Sequence, residues 1–134
     1  MTDKKDYQFS FEKLDVWQKA RKLVADLYRV TESFPKREWY GLVNQIRRAG
    51  VSVAANLAEG SSRSSLKDQA HFSQLAYGSL MEIASHLAIA NDLNYLPESD
   101  SHQLKSDILD ISNMINSLWR SQKRREGEKL NKTS

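Results

Sequence analysis

Apolar residues recur at helical spacing along most of the chain, beginning near residue 14. The first row repeats every three or four residues and comprises Val16, Ala20, Leu23, Leu27, Val30 and Phe34. A second row runs beside it and comprises Leu14, Trp17, Val24 and Tyr28. One apolar row is enough to face a single core, so the doubled width predicts a helix contacted on two sides, by its own bundle and by another subunit.

The stretch from Glu38 to Arg63 is predicted to be one long helix built largely from small residues. Its apolar row comprises Leu42, Ile46, Val53 and Leu57. Glycine, alanine and serine reduce the bulk between those positions, at Gly41, Ala49, Gly50, Ser52, Ala54, Ala55, Ala58 and Gly60. Neighbouring helices can therefore approach this helix closely from more than one side.

Two further helices follow. In the third, Ser65 is a suitable N-cap and the apolar positions again form two rows. Pro97 separates it from the fourth, which carries one dominant row, Leu104, Ile108, Ile111, Ile115 and Leu118. No alternation of period two competes with these patterns, so no strand is predicted.

The sequence thus predicts an all-α fold, an antiparallel up-down-up-down four-helix bundle in one domain. The predicted helices span about 13–34, 37–61, 65–94 and 99–122 within a bundle of residues 13–122. Residues 1–12 are predicted to be an N-terminal arm and residues 123–134 a basic flexible tail. Helices this long expose much lateral surface, which favours oligomerisation.

Composition excludes several classes of function. The absence of cysteine excludes disulfides, thiolate metal sites and cysteine nucleophiles. No signal-peptide pattern and no apolar run near ~20 residues occurs, so we expect a cytoplasmic protein without membrane contact.

Charge is segregated along the chain although its net value is only +3. Residues 36–67 and 120–134 each carry +4, whereas residues 68–119 carry −6. This segregation favours self-association between unlike faces or a basic surface for a polyanion. The alternative is ordinary solvated helix faces.

Three blocks, FEKLDVWQKA, FPKREWYGLVNQIRRAGVSVAANLAEGSSR and QLAYGSLMEIASHLAIANDLNYL, resemble successive landmarks of the 23S rRNA intervening-sequence protein family. The resemblance covers roughly residues 9 to 122 and leaves the basic tail outside. It implies a ring-like homopentamer with a central channel and no enzyme activity. Similar bundles include the accessory variability determinant proteins of diversity-generating retroelements, which bind a reverse transcriptase and nucleic acid, so a nucleic-acid role is implied by analogy.

Candidate chemistry is sparse. Glu82 and His86 stand four residues apart on one helix, but the further ligands of a bundle metal site are missing. His71 and His102 have no serine or carboxylate arrangement that would activate a nucleophile. We therefore predict no catalytic residue, no metal and no cofactor. A polar set on the second and third helices, Asn56, Glu59, Ser79 and Glu82, is interpreted as a structural network that fixes helix register or a subunit contact, and the alternative is a ligand site.

The functional hypothesis is a non-enzymatic oligomeric adaptor that binds RNA or DNA through basic surfaces with little sequence specificity. The candidate binding residues are Lys19, Lys22, Arg29, Arg47, Arg48, Arg63, Lys67, Arg120, Lys123, Arg124 and Arg125. Three tryptophans, Trp17, Trp39 and Trp119, could stack on bases, although core or interface packing is the commoner role of aromatics at helical spacing. The alternative is a scaffold that binds a protein such as a reverse transcriptase without touching nucleic acid.

Overall fold

A computed structural model describes residues 9–133, in which helices are joined by short turns. It contains four long helices, α1 (Asp15–Thr31), α2 (Asn44–Ser61), α3 (Leu66–Asp92) and α4 (Glu98–Thr133), and no strand within the described range. The prediction of an all-α fold with four helices is confirmed. Most of the predicted N-terminal arm, residues 1–8, lies outside the described residues, while Ser10–Lys13 form a 3₁₀ turn that leads into α1.

Neighbouring helices run antiparallel. Ser52 of α2 meets Ser79 of α3, and Ser73 of α3 meets Gln122 of α4. Arg29 near the end of α1 lies 3.8 Å from Asp100 at the start of α4, which closes the bundle. The core comprises the predicted apolar rows, and its largest fully buried side chains include Leu23, Leu27, Ile46, Leu80, Ile83, Ile111 and Ile115. Each such side chain stabilises the fold by about 1.5–3 kcal/mol through removal from water.

The second apolar row of α1 is only partly covered by its own bundle. Leu14 and Trp17 pack against the core from partly buried positions, and Val24 is half-buried. Tyr28 remains 43% exposed. The outer side of α1 therefore presents apolar surface to solvent in the single chain.

The second helix begins later than predicted. Lys36–Glu38 form a 3₁₀ turn and Trp39–Val43 a single π-type turn, so the predicted continuous helix is wrong before Asn44. Gly41 departs from helical geometry, with φ −111° and ψ −111°. The Glu38 carboxylate accepts hydrogen bonds from the Leu42 N–H at 3.4 Å and from the Tyr95 hydroxyl at 3.0 Å. A side-chain oxygen thus takes an N–H that would bond a backbone carbonyl in a regular helix.

The ends of α3 are stabilised by local hydrogen bonds. At its start, Ser65 caps the helix by accepting the Asp68 N–H at 3.1 Å, as predicted. At its end, Asn94 adopts a left-handed conformation with φ 62°, and the Tyr95 N–H donates to the Ala90 carbonyl at 2.9 Å. This pattern of a left-handed residue followed by a six-residue closing bond is a common helix stop.

The predicted flexible tail is also corrected, because α4 continues as a helix to Thr133. Gln122 occupies the next position of the α4 apolar row and is 5% exposed, so the bundle holds the chain one turn past Leu118. Beyond it, Lys123 pairs with Glu126 at 3.0 Å, and arginine, lysine and glutamate are strong helix formers. Within the described range, no helix is long and apolar enough to cross a membrane.

Candidate nucleic-acid interface

Arg47 is committed to the contact between α1 and α2. Its guanidinium donates to the Thr31 hydroxyl at 2.9 Å, the Tyr28 carbonyl at 3.1 Å and the Glu32 carboxylate at 3.2 Å. It also lies 4.4 Å from the centroid of the Tyr28 ring. These contacts occupy most of the guanidinium donors of Arg47 and connect α1 with α2. Few donors therefore remain for a phosphate.

The cations of α1 face carboxylates. Lys22 pairs with Asp26 at 3.2 Å. Lys19 and Lys22 line a cleft of about 140 Å³ that Asp107 and Asp110 of α4 share. A phosphate approaching this surface meets compensated charge, so the first-helix cations offer a weak polyanion site.

The cations near the α2–α3 connection and on α2 differ in their ion pairs and ring contacts. Arg63 pairs with Glu59 at 3.2 Å and lies 4.7 Å over the Phe72 ring. Lys67 is exposed and forms no ion pair with any other described residue. Arg48 is exposed on α2 and lines a polar cleft of about 430 Å³ together with Glu82.

The cations in the last turns of α4 are exposed and have few carboxylate partners. All six are exposed, namely Arg120, Lys123, Arg124, Arg125, Lys129 and Lys132. Two of them have only local carboxylate partners: Lys123 reaches Glu126 at 3.0 Å, and Arg124 lies 4.0 Å from Glu128. Exposed pairs of this kind are worth about 0.3–0.5 kcal/mol, so they yield readily to phosphate. At ~1.5 Å per residue the six cations extend along about 18 Å of helix.

The predicted polar network separates into three parts. Ser52 and Ser79 share a hydrogen bond of 2.8 Å across α2 and α3, and the Asn56 amide donates to the Ser52 carbonyl and hydroxyl at 2.9 and 3.1 Å. Glu59 and Glu82 stand apart from it and pair with residues of their own helices, Arg63 and His86. The sequence prediction includes Ser52 only among the small residues of α2, and its spacing of four residues from Asn56 is the signal that places both on one helix face.

The tryptophans occupy three different environments. Trp17 packs against the Phe11 ring with centroids 4.8 Å apart and is covered by Arg21 at 5.4 Å. Trp119 is partly buried, whereas Trp39 is 49% exposed at the α1–α2 connection. Only Trp39 presents half of its surface to solvent, and it lies away from the α4 cations along the chain.

Residues near one end of the bundle were missed by the sequence analysis. Ser73 and Gln122 are buried polar residues joined by a hydrogen bond of 2.8 Å, and they line a cleft of about 260 Å³ with Arg125. The continuation of the α4 row by three and four residues, from Ile115 through Leu118 to Gln122, was the available signal. Among the described residues, no three His, Asp or Glu side chains lie close enough together to hold a metal ion.

Comparison with known proteins identifies the relatives of this fold. A family model described as 23S rRNA-intervening sequence protein matches residues 12–117. A crystal structure described as a protein with unknown function from the S23 ribosomal protein family of Bacteroides thetaiotaomicron has a TM-score of 0.69 at 20% identity, covering 78% of this chain and 97% of that chain. No curated protein matches the chain. The structural likeness concerns the fold, and the six exposed cations of α4 lie beyond the residues that the family model matches.

Proposed function

The chain belongs to the 23S rRNA-intervening sequence protein family, and from that premise we propose that it is a non-enzymatic, oligomeric helical adaptor that binds nucleic acid. The family name ties the group to a segment inserted in ribosomal RNA genes. A role close to RNA or DNA is consistent with that association, and the contacts are made to phosphates with little sequence specificity.

The observation that supports nucleic-acid binding is the set of six exposed cations on the last turns of α4, which are distributed around the helix. Their carboxylate neighbours, Glu126 and Glu128, belong to the same turns, so no other helix competes for them. Each cation that neutralises a phosphate releases counterions, which makes binding favourable at low salt and weak at high salt.

Self-association is the second part of the proposal, and a ring-like homopentamer is the form that the family resemblance implies. Among the exposed apolar side chains of the described residues, two groups suit such a contact. One combines Tyr28 with Val51, which is 47% exposed one turn after Arg47. The other is a cleft of about 350 Å³ between α3 and α4, where Met81 and Leu109 stay exposed.

These two faces suit each other in charge as well as in hydrophobicity. Residues 36–67, which contain Val51, carry +4, and residues 68–119, which contain Met81 and Leu109, carry −6. A contact between two different faces is heterologous, and repetition of such a contact closes a ring when the rotation allows it. Several copies of the α4 cations on one ring would strengthen binding to a polyanion by avidity.

The test of nucleic-acid binding is fluorescence anisotropy of a labelled RNA hairpin with a single-stranded loop, titrated with the full chain at several salt concentrations. We expect binding at low salt. Replacement of Lys123 and Arg124 by glutamine should reduce the magnitude of the negative slope of log K against log salt by about 1.4, because two phosphate contacts are lost. The matched control replaces Lys36 and Arg37, an adjacent exposed pair outside α4, by glutamine. Absence of binding by the unmodified chain at low salt, or equal losses in both variants, would contradict the proposal.

A scaffold that binds a protein such as a reverse transcriptase is the second candidate. The observation that favours it is Tyr40, which is 96% exposed beside the half-exposed Trp39. Exposed aromatics are frequent anchors of protein interfaces. A chain that assembles but ignores RNA at every salt concentration would favour this function.

A further inference from the structure

A cleft at one end of the bundle is lined by residues from both ends of the sequence. It encloses about 260 Å³ between the start of α1, the end of α2, the start of α3 and the C-terminal half of α4. Its walls combine three leucines with amide, hydroxyl and guanidinium groups, among them Leu57, Leu118, Asn56, Gln122 and Arg125. Within residues 9–133, no carboxylate lines it.

Gln122 is 5% exposed and directs one of its two polar atoms to a neighbouring helix. Its carbonyl oxygen accepts the Ser73 hydroxyl at 2.8 Å. Its amide nitrogen forms no hydrogen bond with any other described residue. Among the described residues, the fully buried side-chain atom without a hydrogen bond is His86 Nδ1, so the Gln122 nitrogen keeps access to the space of the cleft. Its two N–H groups can therefore donate to a ligand there.

The other amides complement these donors. The Asn56 nitrogen is occupied by Ser52, which leaves the Asn56 carbonyl oxygen as an acceptor. The Gln69 nitrogen donates to the Arg63 carbonyl at 2.8 Å, which leaves the oxygen of that amide in the same role. The cleft therefore offers both donors and acceptors from neutral groups, which is the chemistry that recognises the edge of a nucleobase.

Size and charge restrict the ligand further. Pockets for drug-sized ligands usually enclose about 300–1,000 Å³, so this cleft takes a smaller group such as one base between its leucines. Arg125 is exposed, lines the cleft and forms no ion pair with any described residue. It is adjacent in sequence to Arg124, so a strand whose phosphate binds Arg125 also lies close to the other cations of α4.

We propose that this cleft binds a single unstacked nucleotide, with the base against Gln122 and Asn56 and its phosphate on Arg125. The proposal rests on the nucleic-acid binding inferred above and adds a site for one base to it. The nucleotide comes either from a single-stranded segment of a longer chain or from the free mononucleotide.

The experiment compares two single-stranded oligonucleotides of equal length and charge, one normal and one with abasic positions in its central segment, in the same anisotropy titration. If one base occupies the cleft, the abasic strand should bind about tenfold more weakly, the effect expected for loss of one well-held base. Equal binding of both strands would overturn the base site while leaving phosphate binding intact. No binding of either strand would instead overturn the proposed function itself, and with it the base site.

Replacement of Gln122 by methionine keeps the size of the side chain and removes its N–H donors. This variant should bind the normal strand about tenfold more weakly and bind the abasic strand as the unmodified chain does. The matched control is Gln103→Met, an exposed position on α4 far from the cleft. A loss of equal size on both strands would contradict the proposal, and circular dichroism with thermal unfolding checks that each variant is folded.

A second pair of variants tests the phosphate contact. Arg125→Gln and Arg124→Gln each remove one charge from adjacent positions, but only Arg125 lines the cleft. Arg125→Gln should reduce the difference between the normal and abasic strands, whereas Arg124→Gln should weaken both strands alike. Titration with uridine and adenosine monophosphate distinguishes the sources, because saturable binding of the free compound identifies a mononucleotide site and its absence identifies a strand-dependent one.

Discussion

At the scale of single residues, two helical glycines have opposite surroundings. A Cβ at Gly60 would lie 2.9 Å from the Cβ of Phe72, which is attached to the α3 backbone and cannot move aside. A Cβ at Gly78 would meet nothing within 4 Å. Gly60 is thus required by the close approach of α2 and α3, and Gly78 is not required by packing within the single chain.

Alanine at each glycine therefore gives opposite results. Gly60→Ala should lower the free energy of unfolding by about 1–3 kcal/mol, because overpacking forces the helices apart. Gly78→Ala should raise it by about 0.5–1 kcal/mol through helix propensity. Urea denaturation followed by circular dichroism measures both, and destabilisation by Gly78→Ala would indicate a contact outside the single chain.

Arg47 provides a second test at this scale, because it was predicted to bind nucleic acid and its observed contacts are structural. Arg47→Lys keeps the charge but cannot reproduce the fork that reaches Thr31, Tyr28 and Glu32. We expect a loss of about 1–2 kcal/mol in unfolding free energy, in line with removal of charged hydrogen bonds. The neighbouring Arg48→Lys should leave stability within about 0.5 kcal/mol, as is usual for an exposed site. Similar losses in both variants would contradict the role of Arg47 as a clamp.

At the scale of elements, α4 joins a bundle helix to a solvent-exposed extension. Up to Gln122 its apolar row is buried by the other helices, while in the following turns two ion pairs, Lys123–Glu126 and Arg124–Glu128, join residues of α4 itself. Gly127 lies within those turns, where a Cβ would meet nothing. Glycine inside a helix costs about 1 kcal/mol relative to alanine, so this residue is the weak point of the extension.

Substitutions at Gly127 should change the extension and leave the bundle alone. Gly127→Ala should slow amide hydrogen exchange in residues 128–132 by about fivefold, because a gain near 1 kcal/mol stabilises the closed helix. Gly127→Pro should remove that protection, since proline breaks the helical hydrogen bonds. The unfolding midpoint of the bundle should stay unchanged in both variants, and a shift of several degrees would show that the extension packs on the core.

At the scale of the whole molecule, the arrangement of helices separates two kinds of uncovered apolar surface. The outer side of α1 and α2 exposes Tyr28 and Val51, and the α3–α4 cleft exposes Met81 and Leu109. Because these faces belong to different helix pairs, a contact between them would use one face from each of two chains. The proposed ring requires this heterologous contact.

A mixing experiment tests the contact. Tyr28→Glu and Leu109→Glu each place a charge in one face, so each variant alone should be monomeric by light scattering. An equimolar mixture should form dimers, because the intact α1–α2 face of the Leu109 variant can dock on the intact α3–α4 face of the Tyr28 variant. The control Gln103→Glu adds the same charge at an exposed polar position of α4 and should assemble like the unmodified chain. A monomeric unmodified chain, or variants that stay monomeric when mixed, would contradict this interface.

The sequence by itself determined the helical class, the number of long helices and the identity of most core residues. Helical periodicity is a local property, and burying an apolar row is the dominant favourable term in folding, so Leu23, Ile46, Leu80 and Ile111 could be predicted as core. The capping of α3 by Ser65 was equally local. The candidate cations could also be named from the sequence. Which of them are already paired with carboxylates or carbonyl groups of other helices could not be predicted.

Only the tertiary structure decided how polar groups are paired. Arg47 and Lys123 have the same sign and similar length, yet Arg47 meets acceptors from α1 while Lys123 meets only its own helix. Next to the irregular turn at Gly41, the Glu38 carboxylate accepts the hydroxyl of Tyr95, 57 residues away. Gln122 could be placed in a cleft only when four helices came together around it. Hydrogen bonds and ion pairs depend on distances of a few ångströms between distant parts of the chain, and periodicity along the sequence does not specify those distances.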